Sequence, residues 1–364
     1  MQSEAKRYHN IKLAVGITRS VTSFILLFLF VLLGLSEKLE QYIRIYYQND
    51  YQVLLLYVIV IGILSSIIFF PVSYYIDFYL EHKFDLSNQT FWKWIWENTK
   101  STMVGSAIGI PILLVFYLIL NTFGNNWWLP FALIMFLVSV LLAKILPVLI
   151  LPIFYKVTPI EDESLKERIM VLSKNAGLSV TNVFKFNMSK NTKKANAAFT
   201  GLGKTKRILL GDTLLANYSN DEIETVIAHE LGHYKKKHIL KNVFFSPIFS
   251  FLTFYLISKT YLLSLPFFGF SSITTISALP LLALWGLLIG LLITPISNAI
   301  SRKFEYEADA YAIRTTNKRE AFINTLDKLT DQNLGDREPR PIVEWFFYSH
   351  PSIKKRIQAL QNMV

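Results

Sequence analysis

The sequence contains no cysteine among its 364 residues and is poor in charge, since Asp, Glu, Lys and Arg make up only 17% of it. The absence of cysteine excludes disulfides, thiolate metal sites and cysteine nucleophiles, so any metal must be held by His, Asp or Glu. By contrast, 52% of the residues are hydrophobic, and the mean hydropathy is +0.36. This balance lies outside the range of ordinary soluble domains and predicts an integral membrane protein.

The formal net charge of +11 narrows the choice of partners. Such a charge suits nucleic-acid binding, but in a chain this apolar its commoner cause is basic loops that face anionic lipid headgroups. The composition therefore predicts membrane lipids as partners and no nucleic acid.

Six stretches are apolar over the roughly 20 residues that a helix needs to cross a bilayer. The first contains VTSFILLFLFVLLGL, and no small-residue cleavage site follows it, which predicts an uncleaved span rather than a signal peptide. The predicted spans lie at about residues 13–35, 53–75, 103–120, 128–151, 243–263 and 279–300.

Lysine and arginine fall mainly on one side of these spans. They are dense before the first span, between the second and third, and across residues 156–241, and they are sparse in the opposite loops. Basic loops remain in the cytoplasm and the number of spans is even, so both termini and residues 156–241 are predicted to be cytoplasmic. The membrane would be a bacterial inner membrane or the eukaryotic endoplasmic reticulum.

The predicted fold class is mainly α, a polytopic membrane protein with about six transmembrane helices. Outside the spans, EDESLKERIMVLSKNAGL has apolar residues at helical spacing, and the alternating TNVFKFNMS and KRILLGDTLL predict short strands. The predicted parts are transmembrane helices 1–4 in residues 1–155, a polar segment in 156–242, helices 5–6 in 243–300 and a C-terminal helical segment in 301–364.

A helix is predicted for the segment IETVIAHELGHYKKKHI, residues 223–239. Ser219 followed three residues later by Glu222 forms a capping-box pattern, and the apolar residues after it recur at helical spacing. The helix should therefore begin near Asn220.

This helix carries an H-E-x-x-H motif. His229 and His233 share one helix face, a geometry in which two imidazoles bind zinc while the glutamate between them, here Glu230, acts on water. The alternative is a chance match on an amphipathic helix. With only 6 histidines in the chain, such a match is rare, so the motif favours a zinc site.

A catalytic zinc site normally takes three protein ligands, so one more must be found. His238, five residues past His233, would lie about 140° around a continuous helix and is poorly aimed. Glu305 and Asp309 in SRKFEYEADAYA are four residues apart on one helix face, so one carboxylate can bind zinc while the other orients an imidazole. The alternative is a solvated acidic face, since Glu307 is also present.

Several sequence blocks together resemble the CAAX prenyl protease 1 family of integral-membrane zinc metalloproteases. The resemblance covers roughly residues 75–362 and implies a zincin-like α+β catalytic region, here in residues 156–242 with the C-terminal segment completing the zinc site. Family members carry seven transmembrane helices, whereas six are predicted here. The blocks are EHKFDLSNQTF, LPIFYKVTPIEDESLKERI, KKANAAFTGLGKTKRILLGDTLL, HELGHYKKKH, SRKFEYEADAYA and YSHPSIKKRIQAL.

The resemblance implies one zinc ion per chain, with His229, His233 and Glu305 matching the zinc ligands. Glu230 matches the catalytic glutamate. The mechanism implied is attack on a peptide bond by zinc-activated water, with Glu230 as the base.

Three further residues match supporting positions of the family. Asp309 matches the supporting carboxylate of its E-x-x-x-D motif, and His350 and Arg356 match positions that assist at the active site. A histidine can stabilise an oxyanion, although His350 followed by proline is also compatible with a structural helix start.

The segment NAAFTG, residues 196–201, matches an edge strand beside the zinc. A substrate can pair with such an edge as an added strand, which makes Asn196, Ala197 and Ala198 candidate substrate-binding residues. The alternative, which the residues alone favour, is an ordinary turn.

The function implied is a zinc metalloendopeptidase that cuts near the C-terminus of prenylated CAAX-type proteins or peptides. One rival is a membrane quality-control zinc protease of the HtpX type, although the four spans ahead of the zinc helix argue against it. The other is a non-catalytic zinc-containing membrane scaffold. The glutamate of the H-E-x-x-H motif counts against that rival, because a structural zinc site needs no general base.

Overall fold

Helices make up most of the structure, a computed structural model that describes residues 3–178, 183–200 and 207–363. In these residues the helices are α1 (Glu4–Leu32), α2 (Leu35–Arg44), α3 (Asp50–Ser73), α4 (Leu80–Lys83), α5 (Phe91–Phe123), α6 (Trp128–Ile145), α7 (Leu151–Phe154), α8 (Glu163–Asn175), α9 (Asp212–Asn217), α10 (Asn220–Lys235), α11 (His238–Ser264), α12 (Leu279–Thr316), α13 (Arg319–Gln332), α14 (Pro341–Phe347) and α15 (Ile353–Gln361). The strands are β1 (Val157–Pro159), β2 (Val183–Phe186), β3 (Ala197–Thr200) and β4 (Arg207–Gly211).

Six helical stretches of the described residues are long and apolar enough to cross a membrane. Their outward faces expose large apolar side chains, such as Phe267 at 87% and Leu292 at 73%. Apolar surface on this scale marks contact with lipid or with another protein, and the predicted polytopic, mainly α fold is confirmed. The six stretches are Glu4–Leu32, Asp50–Lys83, Phe91–Asn126, Trp128–Phe154, His238–Phe268 and Ile276–Thr316.

Helix α12 joins the apolar and polar regions of the molecule. Its 38 residues extend over about 57 Å at 1.5 Å per residue, nearly twice the ~30 Å hydrocarbon thickness of a bilayer. Its N-terminal half packs among apolar helices, and its C-terminal turns continue into the polar region with Glu305 and Asp309 buried. One helix therefore carries both a membrane span and the second half of the candidate metal site.

The strands form a small mixed sheet in the order β1-β2-β4-β3. Strand β2 runs parallel to β4, whereas β1 and β3 run antiparallel to their neighbours. Ala197 pairs with Leu210 and Thr200 with Arg207, which leaves β3 at one edge of the sheet. The edge strand expected from the family resemblance is therefore present in place of an ordinary turn, although residue 201 lies outside the described residues.

The prediction of a strand across KRILLGDTLL is wrong in its second half. Strand β4 ends at Gly211, and α9 begins at Asp212. The Asp212 carboxylate accepts hydrogen bonds from the Ser189 backbone N–H at 2.9 Å and from the Thr213 N–H at 2.9 Å. An aspartate side chain that bonds to nearby backbone amides competes with strand pairing, which accounts for the end of β4 at this point.

Helix α10 lies in an apolar core between α8, α12 and α13. The predicted stripe Leu165, Ile169 and Leu172 of α8 is buried in this core, as are Ile223 and Ile227 of α10. The predicted capping box is confirmed as well, because the side chains and backbone amides of the residues at 219 and 222 hydrogen-bond reciprocally. The helix that carries the motif is thus fixed at its start and along its apolar face.

Candidate metal centre

Three predicted ligands from two helices come together at the end of α10. His229 Nε2 lies 3.2 Å from His233 Nε2. Glu305 of α12 faces both rings, with Oε2 at 3.4 Å from His229 Nε2 and Oε1 at 3.3 Å from His233 Nε2. No other cluster of this kind occurs among the described residues.

The spacing and chemistry of these atoms fit a divalent metal. Tetrahedral ligands at 2.0–2.1 Å from a zinc ion lie about 3.3–3.4 Å apart, which matches the three separations above. Glu305 Oε2 is also buried and has no hydrogen-bond partner among the described residues. A buried carboxylate oxygen without a partner is costly, and a cation at the centre of the triad would satisfy it.

A buried ion pair stands behind His229. Asp309 Oδ1 lies 2.8 Å from His229 Nδ1, and the Arg356 guanidinium donates to both carboxylate oxygens of Asp309, at 2.8 and 2.6 Å. Asp309 is fully buried and Arg356 is 8% exposed. In the neutral imidazole the carboxylate favours the proton on Nδ1, so the lone pair on Nε2 of His229 faces the triad.

These contacts also set the protonation of the site. Burial alone lowers the pKa of His229, but the contacts with Asp309 and Glu305 outweigh burial and raise this pKa to about 9. Burial likewise lowers the pKa of Arg356, whereas attraction to Asp309 raises it, and the result lies above the ordinary value. Arg356 therefore keeps its charge, and a metal that binds His229 must displace a proton.

Glu230 contacts the edge strand from its position between the two histidines of the motif. Its Oε2 accepts a hydrogen bond from the Phe199 backbone N–H at 3.4 Å. Glu230 also lines a cleft with Asn196, Ala197 and His350. It is thus placed beside the triad but outside the predicted ligand set.

The hydrogen bonds of β3 alternate between its two sides. The carbonyl of Asn196 accepts from the last amide of β4 at 2.9 Å, whereas the amide of Phe199 points to the cleft. Because main-chain groups alternate along an antiparallel strand, Ala197 and Phe199 present theirs to the open edge, and those of Ala198 face β4. Phe199 was not predicted from the sequence, because the register of β3 with its partner strand decides which of its residues face the open edge.

His350 approaches the triad from the C-terminal segment. Its Nε2 lies 3.4 Å from Glu305 Oε1, and its side chain is 62% exposed. Helix α15 begins three residues later, after its cap at Ser352. The imidazole therefore faces the same carboxylate as the two motif histidines, from the solvent side.

His238 is buried and lies outside the ligand triad, in agreement with the prediction that it is poorly aimed as a third ligand, but the geometric reason for that prediction does not hold. Helix α10 ends at Lys235, Lys237 adopts a positive φ of 58°, and α11 begins at His238. The chain turns at this point, which brings His238 Nδ1 to 3.0 Å from His233 Nδ1. The 140° offset assumed a continuous helix, and the turn removes that assumption.

Comparison with protein families identifies the class of enzyme. Residues 159–364 match the model of peptidase family M48, and residues 2–156 match the model described as "CAAX prenyl protease N-terminal, five membrane helices". The chain belongs to peptidase family M48. This M48 protein is an integral-membrane metalloendopeptidase that acts on a peptide or protein substrate, which confirms the predicted enzyme class.

Individual relatives cover most of this M48 chain. It is 36% identical over 315 residues to "CAAX prenyl protease 1" of Saccharomyces cerevisiae, which covers 82% of this chain and 69% of the relative. It is 31% identical over 362 residues to an "Uncharacterized metalloprotease YhfN" of Bacillus subtilis, covering 98% and 85%. The crystal structure of S. mikatae Ste24p superposes with a TM-score of 0.87 at 31% identity, covering 98% and 88%.

The N-terminal half of this M48 protein differs from its family model in the number of membrane helices. The model is described with five membrane helices, whereas four helical stretches of the described residues before position 156 are long and apolar enough to span. The three candidate metal ligands all lie outside this half.

Gly232 of the M48 motif permits α10 to approach α12 closely. A Cβ added to it would lie 2.9 Å from Ala308 Cα and 3.0 Å from the Ala308 carbonyl oxygen. Because these are backbone atoms of α12, they can move only if the helices separate. Gly232 is thus a spacer that sets the distance between the imidazoles and the carboxylates.

Gly232→Ala is therefore expected to weaken metal binding. Separation of the two helices should lower metal affinity by about tenfold or more, which corresponds to about 1.4 kcal/mol. The measurement is a metal titration against a competing chelator. Gly290→Ala is the matched control, since no atom lies within 4 Å of the added Cβ, and unchanged affinity in Gly232→Ala would contradict the spacer role.

Proposed function

We propose that this metalloendopeptidase binds one zinc ion through His229, His233 and Glu305 and hydrolyses a peptide bond near the C-terminus of prenylated CAAX-type proteins. The observation that carries the proposal is the placement of an open strand edge beside the base. Phe199 of β3 touches Glu230, and Glu230 lies on α10 between the two histidines of the triad. A substrate strand on this edge would bring its scissile carbonyl to the triad.

The substrate backbone is held by the outward main-chain groups of Ala197 and by the carbonyl of Phe199, whose amide already donates to Glu230. The side chain of Asn196 lines the same cleft and can hydrogen-bond to the substrate. Ala198 faces β4 with its main-chain groups and supports the strand rather than the substrate. The extended peptide is thereby fixed in register with the triad.

Zinc, when bound, supplies Lewis-acid polarisation of the scissile carbonyl and lowers the pKa of a coordinated water. Glu230 accepts the proton of the attacking water and then delivers it to the leaving amine. His350 donates a hydrogen bond to the oxyanion that develops on the carbonyl. Asp309 and Arg356 act behind the triad, where the carboxylate orients His229 and the guanidinium holds the carboxylate.

The substrate class and orientation rest on two further observations. This chain is 36% identical to a protein named CAAX prenyl protease 1, and the triad lies beyond the apolar part of α12, where a lipid-bearing peptide can remain at the bilayer. The density of lysine and arginine in residues 156–241 supports a cytoplasmic orientation of the catalytic segment and both termini, against anionic lipids.

Mass spectrometry of peptide products tests this proposal. The zinc-loaded protein is incubated with a farnesylated CAAX peptide and, separately, with the same peptide lacking the farnesyl group. We expect the farnesylated peptide to lose its last three residues. We expect no such cleavage after the metal has been removed by a chelator.

The two peptides separate the parts of the proposal. Equal cleavage of both would support the peptidase and overturn the requirement for a prenyl group. Cleavage of neither, with zinc bound stoichiometrically, would overturn the CAAX assignment and direct the search to misfolded membrane proteins or to a non-catalytic role.

A further inference from the structure

A third carboxylate of α12 reaches the metal centre through an intervening histidine. His238 is only 2% exposed, and its ring stacks on Phe304 with centroids 4.2 Å apart and an interplanar angle of 6°. Its Nδ1 lies 3.0 Å from His233 Nδ1, and its Nε2 lies 2.9 Å from Glu307 Oε2. The side chains thus form a continuous hydrogen-bonded chain, Glu307–His238–His233, that ends at a predicted ligand.

The direction of this chain follows from donor and acceptor chemistry. An ionised carboxylate can only accept a hydrogen bond. His238 Nε2 therefore carries a proton and donates a hydrogen bond to Glu307. A neutral His238 then has a lone pair on Nδ1, which accepts from the Nδ1–H of His233. His233 is left with a lone pair on Nε2, the atom that lies 3.3 Å from Glu305 Oε1.

Lys241 completes the charge balance of this chain. Its Nζ lies 3.3 Å from the same Glu307 oxygen that His238 contacts, so the half-buried carboxylate has a cationic partner. Glu307 was treated from the sequence as part of a solvated acidic face. Its two partners indicate a fixed carboxylate instead.

We propose that His238 and Glu307 are positioning residues that fix the tautomer and ring orientation of His233 for metal binding. This inference rests on the metal site proposed above. The arrangement repeats the role of Asp309 behind His229, with one difference: Asp309 acts directly, whereas Glu307 acts through an imidazole. Each histidine of the motif is thus oriented by a different carboxylate of α12.

Metal affinity of the full-length protein tests the inference without any peptide substrate. Zinc affinity is measured by competition with a chelator for wild type, His238→Phe and His238→Asn. Phenylalanine keeps the ring that stacks on Phe304 but accepts no hydrogen bond, so affinity should fall about 10- to 100-fold. Asparagine places its amide oxygen near the position of Nδ1 and can accept from His233, so most of the affinity should return.

Two further variants complete the experiment. Glu307→Leu should weaken binding in the same direction as His238→Phe, whereas Glu307→Gln retains an acceptor and should weaken it less. His82→Phe is the control, because His82 contacts the backbone carbonyls of Phe78 and Gln89 instead. Since Glu307 is half-exposed, its variants are expected to fold even if a change at the buried His238 does not.

The outcomes separate this inference from the metal site itself. Wild-type affinity in both His238→Phe and Glu307→Leu would overturn the positioning role. Equal losses of zinc affinity in His238→Phe and His238→Asn would overturn it too. They would show that a hydrogen-bond acceptor cannot replace the imidazole, as expected if His238 were a direct ligand or a packing element. Absence of zinc binding in wild type would overturn the triad, and this inference with it.

Discussion

Glu230→Gln is expected to lower the rate of peptide cleavage by about 10³-fold while leaving the metal content unchanged. The side chain contacts the edge strand and lies outside the ligand triad, so its loss removes a general base, which contributes 10²–10⁴-fold in typical enzymes. Glutamine keeps the shape and the hydrogen bond to Phe199, so binding of the peptide backbone is preserved. Metal analysis and single-turnover cleavage of the same preparation measure both quantities.

Glu224→Gln is the matched control on the same helix. Glu224 pairs with Lys318 and Arg168 at the far end of α10, and its replacement should leave cleavage and metal content unaltered. His229→Ala and Glu305→Ala should lose metal and activity together. A Glu230→Gln enzyme that cleaves at the wild-type rate would contradict the role of this glutamate as the base.

Arg356→Met is expected to lower the free energy of unfolding by about 3–5 kcal/mol, because it leaves the fully buried carboxylate of Asp309 without its bidentate partner. The measurement is denaturant unfolding of the metal-free protein in detergent. Arg337→Met is the control. Arg337 pairs with Asp327 and Asp331 at the surface, where such pairs contribute about 0–1 kcal/mol.

A double variant separates the two roles of this ion pair. Asp309→Leu combined with Arg356→Met removes both charges, so much of the lost stability should return, since neither group is then left unpaired. Metal affinity should remain low, because His229 has no carboxylate behind its Nδ1. Recovery of metal affinity in the double variant would show that Asp309 does not orient His229.

Features that depend on local sequence were predictable. The six spans follow from length and apolarity, and the start of α10 follows from the pattern at Ser219 and Glu222; both are confirmed. The class of enzyme also followed from the motif and the surrounding blocks. That Glu305 faces the histidines could not be derived locally, because 75 residues and two spans separate it from Glu230; the family resemblance supplied it.

Features that depend on backbone turns and on pairing partners were not predictable. The turn at Lys237 has a positive φ, yet no glycine or asparagine marks it, and those residues are the usual signal for a left-handed helix end. The residues of β3 that face the cleft are set by its register with β4. If the register shifted by one residue, the main-chain groups of Ala198 would face the cleft in place of those of Phe199. Nothing within NAAFTG specifies which register forms.

The division of the centre between α10 and α12 also bears on how the enzyme is made. Helix α10 carries only imidazoles and the base, and α12 carries only carboxylates. During synthesis the histidines of α10 emerge two membrane spans before the carboxylates of α12. Arg356 emerges last of the residues at the site. A nascent chain that has emerged only as far as α11 therefore has no complete ligand set, so the metal site can assemble only after α12 has inserted and packed against α10.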